Sequence, residues 1–419
     1  MDLLLTRKTL GSEFDMVISD DEVKIRHDEE LPAGLLQVPS ARYHEIRKLY
    51  GLPWRTFPPK RFRKPYEALL EQKGISLPWK KLIPHTIYQK ELEAFTKGLQ
   101  TDFAGLDTSY HTDMFEPQTS IFYALERAAV DLPLINTLLR ENECLSSSAV
   151  LKTFSPTGQI HGVWYAPPIS YERIASVTGR LKIRKGPGIL HLKKDFRRCI
   201  TSRWGDKGSV YYLDYKSLEP RLLLALREPG VQLPKDPYMY AATSMGIEGE
   251  IDRQHIKTAV ISMIYGAGDK ELIRQLKPHI AYPEDFISSV KERFGVDELK
   301  ERLKAEYEVN KGQFILNHYG RPVHCEGTAP YVLVNYFIQS SAVDLALFGF
   351  SKIVDKLIKT NAIDLIKPLY VLHDALILDV HDDVIEILAK LASLGAKDLP
   401  RLEGTKFWIE TERLDNGTT

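Results

Sequence analysis

The sequence predicts an α+β fold in which long helices accompany an antiparallel sheet. Residues 210–215 alternate between two sets of side chains with the period of a β-strand, which carries Asp214 to the strand end. Residues 368–380 form two apolar runs that are interrupted at His373-Asp374, the pattern of a hairpin. Helical periodicity is found in other segments, among them 120–131, 218–226, 253–265 and 331–359.

Several residues at helix ends support these boundaries. Ser217 is the predicted N-cap of the helix that follows the first strand, and Pro220 falls in its first turn. Pro133 is predicted to open a helix after the one at 120–131. Asp382 is predicted to cap the last helix, which ends at Gly395.

Asp214 is the first candidate functional residue, because it ends an apolar strand with no cation directly beside it. A carboxylate at such a position is costly unless something neutralises it, and a divalent cation bound through oxygen atoms is a common solution. For this residue alone, a solvated aspartate at a strand end is the simpler interpretation.

Asp374 supplies a second carboxylate at a hairpin tip. The break in the hairpin contains neither Gly nor Asn, so it does not follow ordinary hairpin chemistry. Two acids on the tips of neighbouring strands could share two Mg²⁺ ions about 3.5–4 Å apart, which stabilises both oxygens of an in-line phosphoryl displacement. The pair therefore predicts metal-dependent phosphoryl transfer.

The helix at 253–265 carries a stripe of chemically distinct side chains. Four residues recur every four positions and so share one face: Arg253, Lys257, Ile261 and Tyr265. Two cations followed by an aromatic ring suit a nucleotide, because the charges meet the phosphates and the ring meets a base. A cationic surface stripe that ends in a core tyrosine is the alternative.

Composition sets broad limits on the class of protein. The 419 residues are 43% hydrophobic, enough for a large core and two to three lobes. The 56 basic and 56 acidic residues cancel, so any nucleic-acid binding depends on local clusters such as residues 180–185 and 193–198. Three scattered cysteines indicate neither a disulfide framework nor a zinc site. No apolar run reaches about 18 residues, so we expect no membrane association.

The functional segments resemble, in order and spacing, the motifs of the family A (DNA polymerase I-like) DNA polymerases. Asp214-Tyr-Lys-Ser-Leu-Glu219-Pro-Arg221 resembles motif A, residues 253–266 resemble motif B, and His373-Asp374 resembles motif C. Three flanking elements also match: the TGRL element at 178–181, Gly320-Arg321, and the NxxxQ helix at 335–339. The resemblance covers residues 160–419, and more loosely 117–160.

The resemblance implies a right-hand polymerase with an antiparallel palm sheet and helical fingers and thumb. It implies the following division: an N-terminal region of unknown role at 1–110, thumb and lower palm at 111–205, palm with motif A at 206–235, fingers with motif B at 236–330, and palm with the NxxxQ helix and motif C at 331–419.

The implied reaction is template-directed addition of deoxynucleotides to a primer 3′ end by a two-metal mechanism. Asp214 and Asp374 would be catalytic residues that bind two Mg²⁺ ions, which Mn²⁺ could replace. The nucleotide site would contain Arg253, Lys257, Ile261, Tyr265 and Glu219, the last as a steric gate against ribonucleotides. Contacts to DNA would come from Arg180, Arg321, Asn335, Gln339 and His373.

Some of these roles have local alternatives. Taken alone, Arg180 after a glycine fits a loop charge equally well. Asn335 and Gln339 need polar partners on an apolar helix; base edges in the minor groove would serve, and so would a hydrogen bond between the two residues.

Expected partners and location also follow from the resemblance. The partners would be primer-template DNA and deoxynucleoside triphosphates. Residues 1–110 lack a recognisable 3′–5′ exonuclease domain, so a separate exonuclease or processivity protein is a further expected partner. A compact chain of this kind suits a phage-like or plasmid replication system in the cytoplasm of a bacterial or phage-infected cell.

Departures from the family pattern leave two alternatives open. Ala375 replaces the glutamate usual after His-Asp, and Ile261, Lys216, Tyr331 and Tyr238 replace an aromatic residue, a serine, an arginine and a histidine. The departures at Ala375, Ile261, Lys216 and Tyr331 give some support to a catalytically weak, polymerase-like DNA-binding replication factor. A single-subunit RNA polymerase relative is the other alternative, although that family would place a small residue where Glu219 stands.

Overall fold

A computed structural model describes residues 3–5, 15–18, 23–26, 43–65, 78–142, 144–247, 249 and 251–414. The chain divides into two compact units, Met1–Glu116 and Pro117–Thr419. This division lies close to the predicted boundary after residue 110.

The first unit combines a small sheet with helices. Its antiparallel strands lie in the order β1 (Leu3–Leu5), β2 (Asp15–Ile18) and β3 (Val23–Arg26). Its helices are α1 (Tyr43–Leu49), α2 (Trp79–Leu82) and α3 (His85–Phe103), and a π-helical turn follows at His111–Phe115. Residues 60–65 are also helical.

Helix α3 was not among the predicted helices. It buries five side chains at helical spacing against Ile46 and Phe57: Tyr88, Leu92, Phe95, Leu99 and Phe103. Polar residues separate these five side chains in the sequence, so their common buried face becomes evident only from the tertiary contacts.

The second unit contains the remaining helices and strands. They run in chain order as α4 (Thr119–Ala124), β4 (Ala129–Val130), α5 (Leu132–Glu141), α6 (Leu145–Lys152), β5 (Gln159–Ile160), β6 (Val163–Trp164), β7 (Ser170–Glu172), β8 (Lys182–Lys185), β9 (Ile200–Thr201), β10 (Gly208–Tyr215), α7 (Leu218–Arg227), α8 (Pro237–Ser244), α9 (Arg253–Ile264), α10 (Asp269–Leu276), α11 (Pro283–Phe294), α12 (Val296–Val309), β11 (Phe314–Leu316), β12 (Pro322–His324), α13 (Leu333–Lys359), β13 (Ile366–Leu372), β14 (Ala375–His381), α14 (Leu388–Gly395) and β15 (Ile409–Arg413). Short 3₁₀ segments lie at Ile189–His191, Lys194–Cys199, Gly205–Lys207, Pro330–Val332, Ala362–Asp364 and Asp382–Ile387.

A four-stranded antiparallel sheet forms the centre of this unit, with strand order β13-β14-β10-β15. The mixture of helices with a small antiparallel sheet confirms the predicted α+β class. On one face, Val210 and Ile377 join a core cluster with Ile135 of α5. On the other face, Tyr215 packs against Phe350 of α13 with ring centroids 5.4 Å apart. The sheet is therefore packed on both faces away from its strand tips.

Helix α13 is the longest described helix, and most of its length is buried. A segment that includes it, Pro330–Lys359, is long and apolar enough to cross a membrane by length and composition alone. In that segment, 67% of the apolar window is buried inside the protein, as expected for a core helix.

Two predicted helices have different bounds in the structure. The helix predicted at 120–131 ends at Ala124, because Glu126 N donates to the carbonyl of Pro368 and Ala129 pairs with Thr201 as a strand. The helix predicted from Asp382 is a 3₁₀ segment up to Ile387, and α14 begins only at Leu388.

The turn between β10 and α7 is held by Arg221. Ser217 occupies the predicted N-cap position of α7, but its backbone is left-handed (φ 48°) and its side chain makes no capping hydrogen bond. The buried Arg221 side chain donates to three carbonyls: Lys216 (2.8 Å), Pro234 (2.7 Å) and Lys235 (2.7 Å). Its guanidinium also lies 4.1 Å from the centre of the Trp408 ring.

We expect Arg221→Met to lower the free energy of unfolding by about 3 kcal/mol, because it leaves these carbonyls without their charged donor. Arg227→Met is the matched control on the same helix. Arg227 is partly exposed and pairs with Glu298, so its loss should cost less than about 1 kcal/mol. Urea unfolding measures both variants, and equal losses would show that Arg221 does not hold the turn.

Candidate active site

The structure brings Asp214 and Asp374 to the same edge of the sheet. Asp214 is the penultimate residue of β10 and lies opposite Ala375, the first residue of β14. Asp374 lies in the two-residue turn that joins β13 to β14, and its carbonyl accepts a hydrogen bond of 3.1 Å from Tyr215 N. His373 makes this turn possible without Gly or Asn by adopting a left-handed φ of 56°.

Both carboxylates are in an environment that disfavours negative charge. Burial, together with the charge of Asp374, raises the pKa of Asp214 to about 7. Burial also raises the pKa of Asp374. A cation between them would favour both carboxylates in their charged form, so the pair has the electrostatics of a cation site.

The donor set also fits Mg²⁺. In the described part of the chain, no group of three or more His, Cys, Asp or Glu could hold a metal ion. Mg²⁺ commonly uses only one or two protein carboxylates and takes its other oxygens from water and substrate phosphates. Asp214 and Asp374 match that requirement.

Two further acids lie on the other side of Asp214. Glu410 of β15 is directly opposite Asp214 in the strand register, and Glu412 lies two residues further along the same face. Lys216 forms an ion pair with Glu410 and lies 3.9 Å from Glu412. These acids were not among the predicted site residues, although the alternation of Ile409 and Thr411 with the two glutamates is typical of a strand.

A cleft lined by Asp374 collects other predicted residues. Its polar lining consists of Arg180, Glu219, Gln339, His373 and Asp374. Its apolar lining comes mainly from α13, through residues such as Ala342, Val343 and Ala346. The cleft thus combines apolar side chains with a few hydrogen-bonding groups, as ligand sites do.

Glu219 is held in the cleft by two partners. Arg180 Nη2 donates to Glu219 Oε1 over 3.1 Å, and the Tyr265 hydroxyl donates to the same oxygen over 3.3 Å. Burial raises the pKa of Glu219, although Arg180 and Tyr265 act in the opposite direction. Together, these contacts connect the three segments that resemble motif A, motif B and the TGRL element.

Gln339 connects the long helix to the same group. With its amide nitrogen donating to Thr178 Oγ1 (2.7 Å), its oxygen accepts from Arg180 Nη1 (3.1 Å) and Nη2 (3.2 Å). In the opposite amide orientation, Gln339 contacts Asn335 Oδ1 at 3.4 Å. Gln339 and Asn335 thus lie together, with Gln339 next to the cleft.

Helix α9 exposes the two ends of its predicted stripe and partly buries the middle. Asp252 caps the helix by accepting from Gln254 N (2.6 Å), and the opposite side is buried through residues such as Ile256, Val260 and Met263. Arg253 and Tyr265 are exposed, whereas Lys257 and Ile261 are partly buried. Arg253 forms an ion pair with Asp236, the N-cap of α8.

Arg321, predicted to contact DNA, is buried. It is 3% exposed, lies 3.4 Å from Asp344 Oδ1, and donates to the carbonyl of Arg173 over 3.2 Å. This burial does not agree with a direct contact to DNA. A Cβ atom on Gly179 would overlap the Arg321 guanidinium, so Arg321 instead supports the turn that presents Arg180.

Three curated proteins are similar to parts of this chain. The DNA polymerase of Mycobacterium phage D29 is 26% identical over 223 residues, which are 49% of this chain and 33% of that protein. The DNA polymerase I of Rhizobium leguminosarum is 27% identical over 258 residues, 55% of this chain and 25% of that protein. The DNA polymerase of Mycobacterium phage L5 is 27% identical over 158 residues, 36% of this chain and 25% of that protein. The chain therefore spans only a quarter to a third of the length of these relatives.

A solved structure shares the fold. The POL domain of Pol1 from M. smegmatis, determined in complex with DNA primer-template and dNTP, superposes with a TM-score of 0.61 and 14% identity. The match covers 96% of this chain and 92% of that domain. No protein-family profile matches the chain. The relatives and the shared fold confirm the resemblance to family A DNA polymerases that the motifs predicted.

We expect Gly179→Ala to destabilise the protein by about 2–4 kcal/mol, through a left-handed backbone (φ 78°) and overpacking against Arg321. Gly162→Ala is the control, because its φ is also positive (82°) but no described heavy atom lies within 4 Å of the added Cβ. Its cost should be about 1–2 kcal/mol. Equal free energies of unfolding for the two variants would contradict the packing of Arg321 under Gly179.

Proposed function

We propose that the chain is a DNA-directed DNA polymerase that adds deoxynucleotides to a primer 3′ end on a template strand. The observation that carries this proposal is the pairing of β10 with β14, which brings two half-buried carboxylates to the same sheet edge, next to a cleft lined by Arg180 and Glu219. The names of the curated relatives and the shared fold support the same activity.

The lobes of a right-hand polymerase would be assigned as the motifs suggest. The four-stranded sheet would be the palm, in residues 206–235 and 331–419. Residues 236–330, with helices α8 to α12, would form the fingers, and residues 111–205 would form the thumb and lower palm. The role of residues 1–110 is left open.

Asp214 and Asp374 would hold two divalent cations, with Mg²⁺ as the first choice and Mn²⁺ as a substitute. When bound, the ions would supply charge for the attacking 3′-oxygen and for the leaving pyrophosphate. The residues of the chain would contribute positioning, because sheet pairing fixes both carboxylates before substrate arrives. Catalysis of this type depends mainly on position and charge.

The nucleotide would lie between α9 and the cleft. Arg253 and Lys257 would bind its phosphates as charge-assisted donors. Ile261 and Tyr265 would border the base and sugar. Glu219 would lie under the sugar, where Arg180 and Tyr265 keep its side chain in place.

The primer-template would pass the other side of the cleft. Arg180, Gln339 and Asn335 would contact minor-groove acceptors that all base pairs share. Burial, with the charge of Arg180, lowers the pKa of His373, so His373 would act there as a neutral hydrogen-bonding group. A separate exonuclease or processivity protein remains a proposed further partner.

One observation favours a second candidate, a catalytically weak DNA-binding replication factor. Ala375 lies opposite Asp214, at a position where the family usually has a third acid, and Lys216 places a positive charge near the pair. If the purified protein binds primer-template DNA but does not extend the primer with Mg²⁺ or Mn²⁺, this candidate replaces the polymerase.

We expect Asp214→Asn and Asp374→Asn each to slow primer extension by about 10³-fold or more, because each removes a metal ligand. Binding of primer-template, measured by fluorescence anisotropy, should change little. Asp383→Asn is the control, since Asp383 is 78% exposed and should leave extension unchanged. Extension by either active-site variant at close to the wild-type rate would refute the assignment.

Glu219→Ala should lower discrimination against ribonucleotides by about 10- to 100-fold, because it removes the side chain that would collide with a 2′-hydroxyl. Glu219→Gln keeps the size of the side chain and should retain most of the discrimination. The measurement is the ratio of kcat/KM for dNTP and rNTP in single-nucleotide extension. An unchanged ratio in the alanine variant would count against the steric gate.

A further inference from the structure

The ring of Tyr238 lies beneath both cations of α9. Tyr238 is 3% exposed and belongs to the first turn of α8. The guanidinium of Arg253 is 5.2 Å from the centre of its ring, and Nζ of Lys257 is 6.0 Å from the same point. These distances are in the range of cation–π attraction, so one buried ring contacts two side chains that would bind phosphate.

The same tyrosine is anchored at its other end. Burial raises the pKa of Tyr238, and hydrogen bonding from the nearby Ser217 side chain acts in the opposite direction. Ser217 lies in the left-handed turn between Asp214, the proposed metal ligand, and Glu219, the proposed sugar contact. Tyr238 therefore links the turn at the end of β10 to the cations of α9.

Asp236 is a second partner of Arg253. Its carboxylate caps α8 by accepting from the backbone nitrogens of Tyr238 (3.0 Å) and Met239 (3.2 Å), and it also pairs with Arg253. The guanidinium is thus held by a carboxylate and a ring face that both belong to the start of α8. Such support restricts a long, flexible side chain before any ligand binds.

We infer that Tyr238 is a positioning residue for the triphosphate: its ring orients Arg253 and Lys257, and its hydroxyl fixes them relative to the turn that carries Asp214 and Glu219. This inference rests on the proposed function. Under this inference, an uncharged ring contacts the two cations proposed to bind phosphate, at a position where the family pattern has a titratable histidine.

The test compares Tyr238→Leu, which removes the ring, with Tyr238→Phe, which removes only the hydroxyl. Tyr240→Leu is the matched control, because Tyr240 is on the same helix and has its own cation, Arg293, 4.9 Å from its ring. Thermal unfolding identifies any variant that fails to fold. Two readouts are used: kcat and KM for dNTP in primer extension, and calorimetric binding of inorganic tripolyphosphate.

Tyr238→Leu should raise KM for dNTP and weaken tripolyphosphate binding, each by about 10-fold. Tyr238→Phe should keep tripolyphosphate binding within about 2-fold and lower kcat, since only the link to Ser217 is lost. Tyr240→Leu should leave both readouts unchanged. The effect of Lys257→Met should be smaller in the Tyr238→Leu background than in the wild type, because the two residues act together.

Two results would overturn the inference. One is a folded Tyr238→Leu protein with unchanged KM and unchanged tripolyphosphate binding. The other is full additivity of Tyr238→Leu and Lys257→Met. If the wild-type protein does not extend primers at all, the proposed polymerase activity fails, and tripolyphosphate binding alone still decides the role of Tyr238.

Discussion

The proximity of two carboxylates that repel each other is the constraint on which the rest of the second unit depends. Asp214 and Asp374 would move apart if their positions were set by side-chain preferences alone. The backbone prevents this, because continuous pairing of β10 with β14 and the bond from Tyr215 N to Asp374 O fix both ends. The packed core on both faces of the sheet provides the free energy that offsets the repulsion and the burial of charge.

The two helices that flank this pair, α9 and α13, each pack one side into the core and carry candidate functional side chains on another. Helix α9 buries Ile256, Val260 and Met263 and presents its cations outward. Helix α13 contributes apolar residues to the cleft and places Gln339 at its edge. The packed core thus holds the polar side chains of the site in position, as is usual in a preorganised site.

The sequence predicted those parts of the site that depend on local period. The two-residue period identified β10 and the hairpin, and the four-residue period identified the stripe on α9. Sequence reasoning failed where tertiary contacts decide the outcome. Arg321 resembles a surface residue in the sequence, yet Asp344, which is distant in the chain, holds it inside. Glu410 is invisible as a neighbour of Asp214 until β15 has paired with β10.

The close contact between Tyr215 and Gly349 restricts which substitutions the protein can accept at these two positions in evolution. The hydroxyl of Tyr215 reaches the carbonyl of Gly395 over 2.6 Å by passing the backbone of α13 at Gly349, where a Cβ atom would overlap it. Any larger residue at 349 would push against the strand that carries Asp214, and a smaller residue at 215 would leave a void beside two glycines. A substitution at one of these two positions therefore requires a compensating substitution at the other, so homologous sequences should show covariation between 215 and 349.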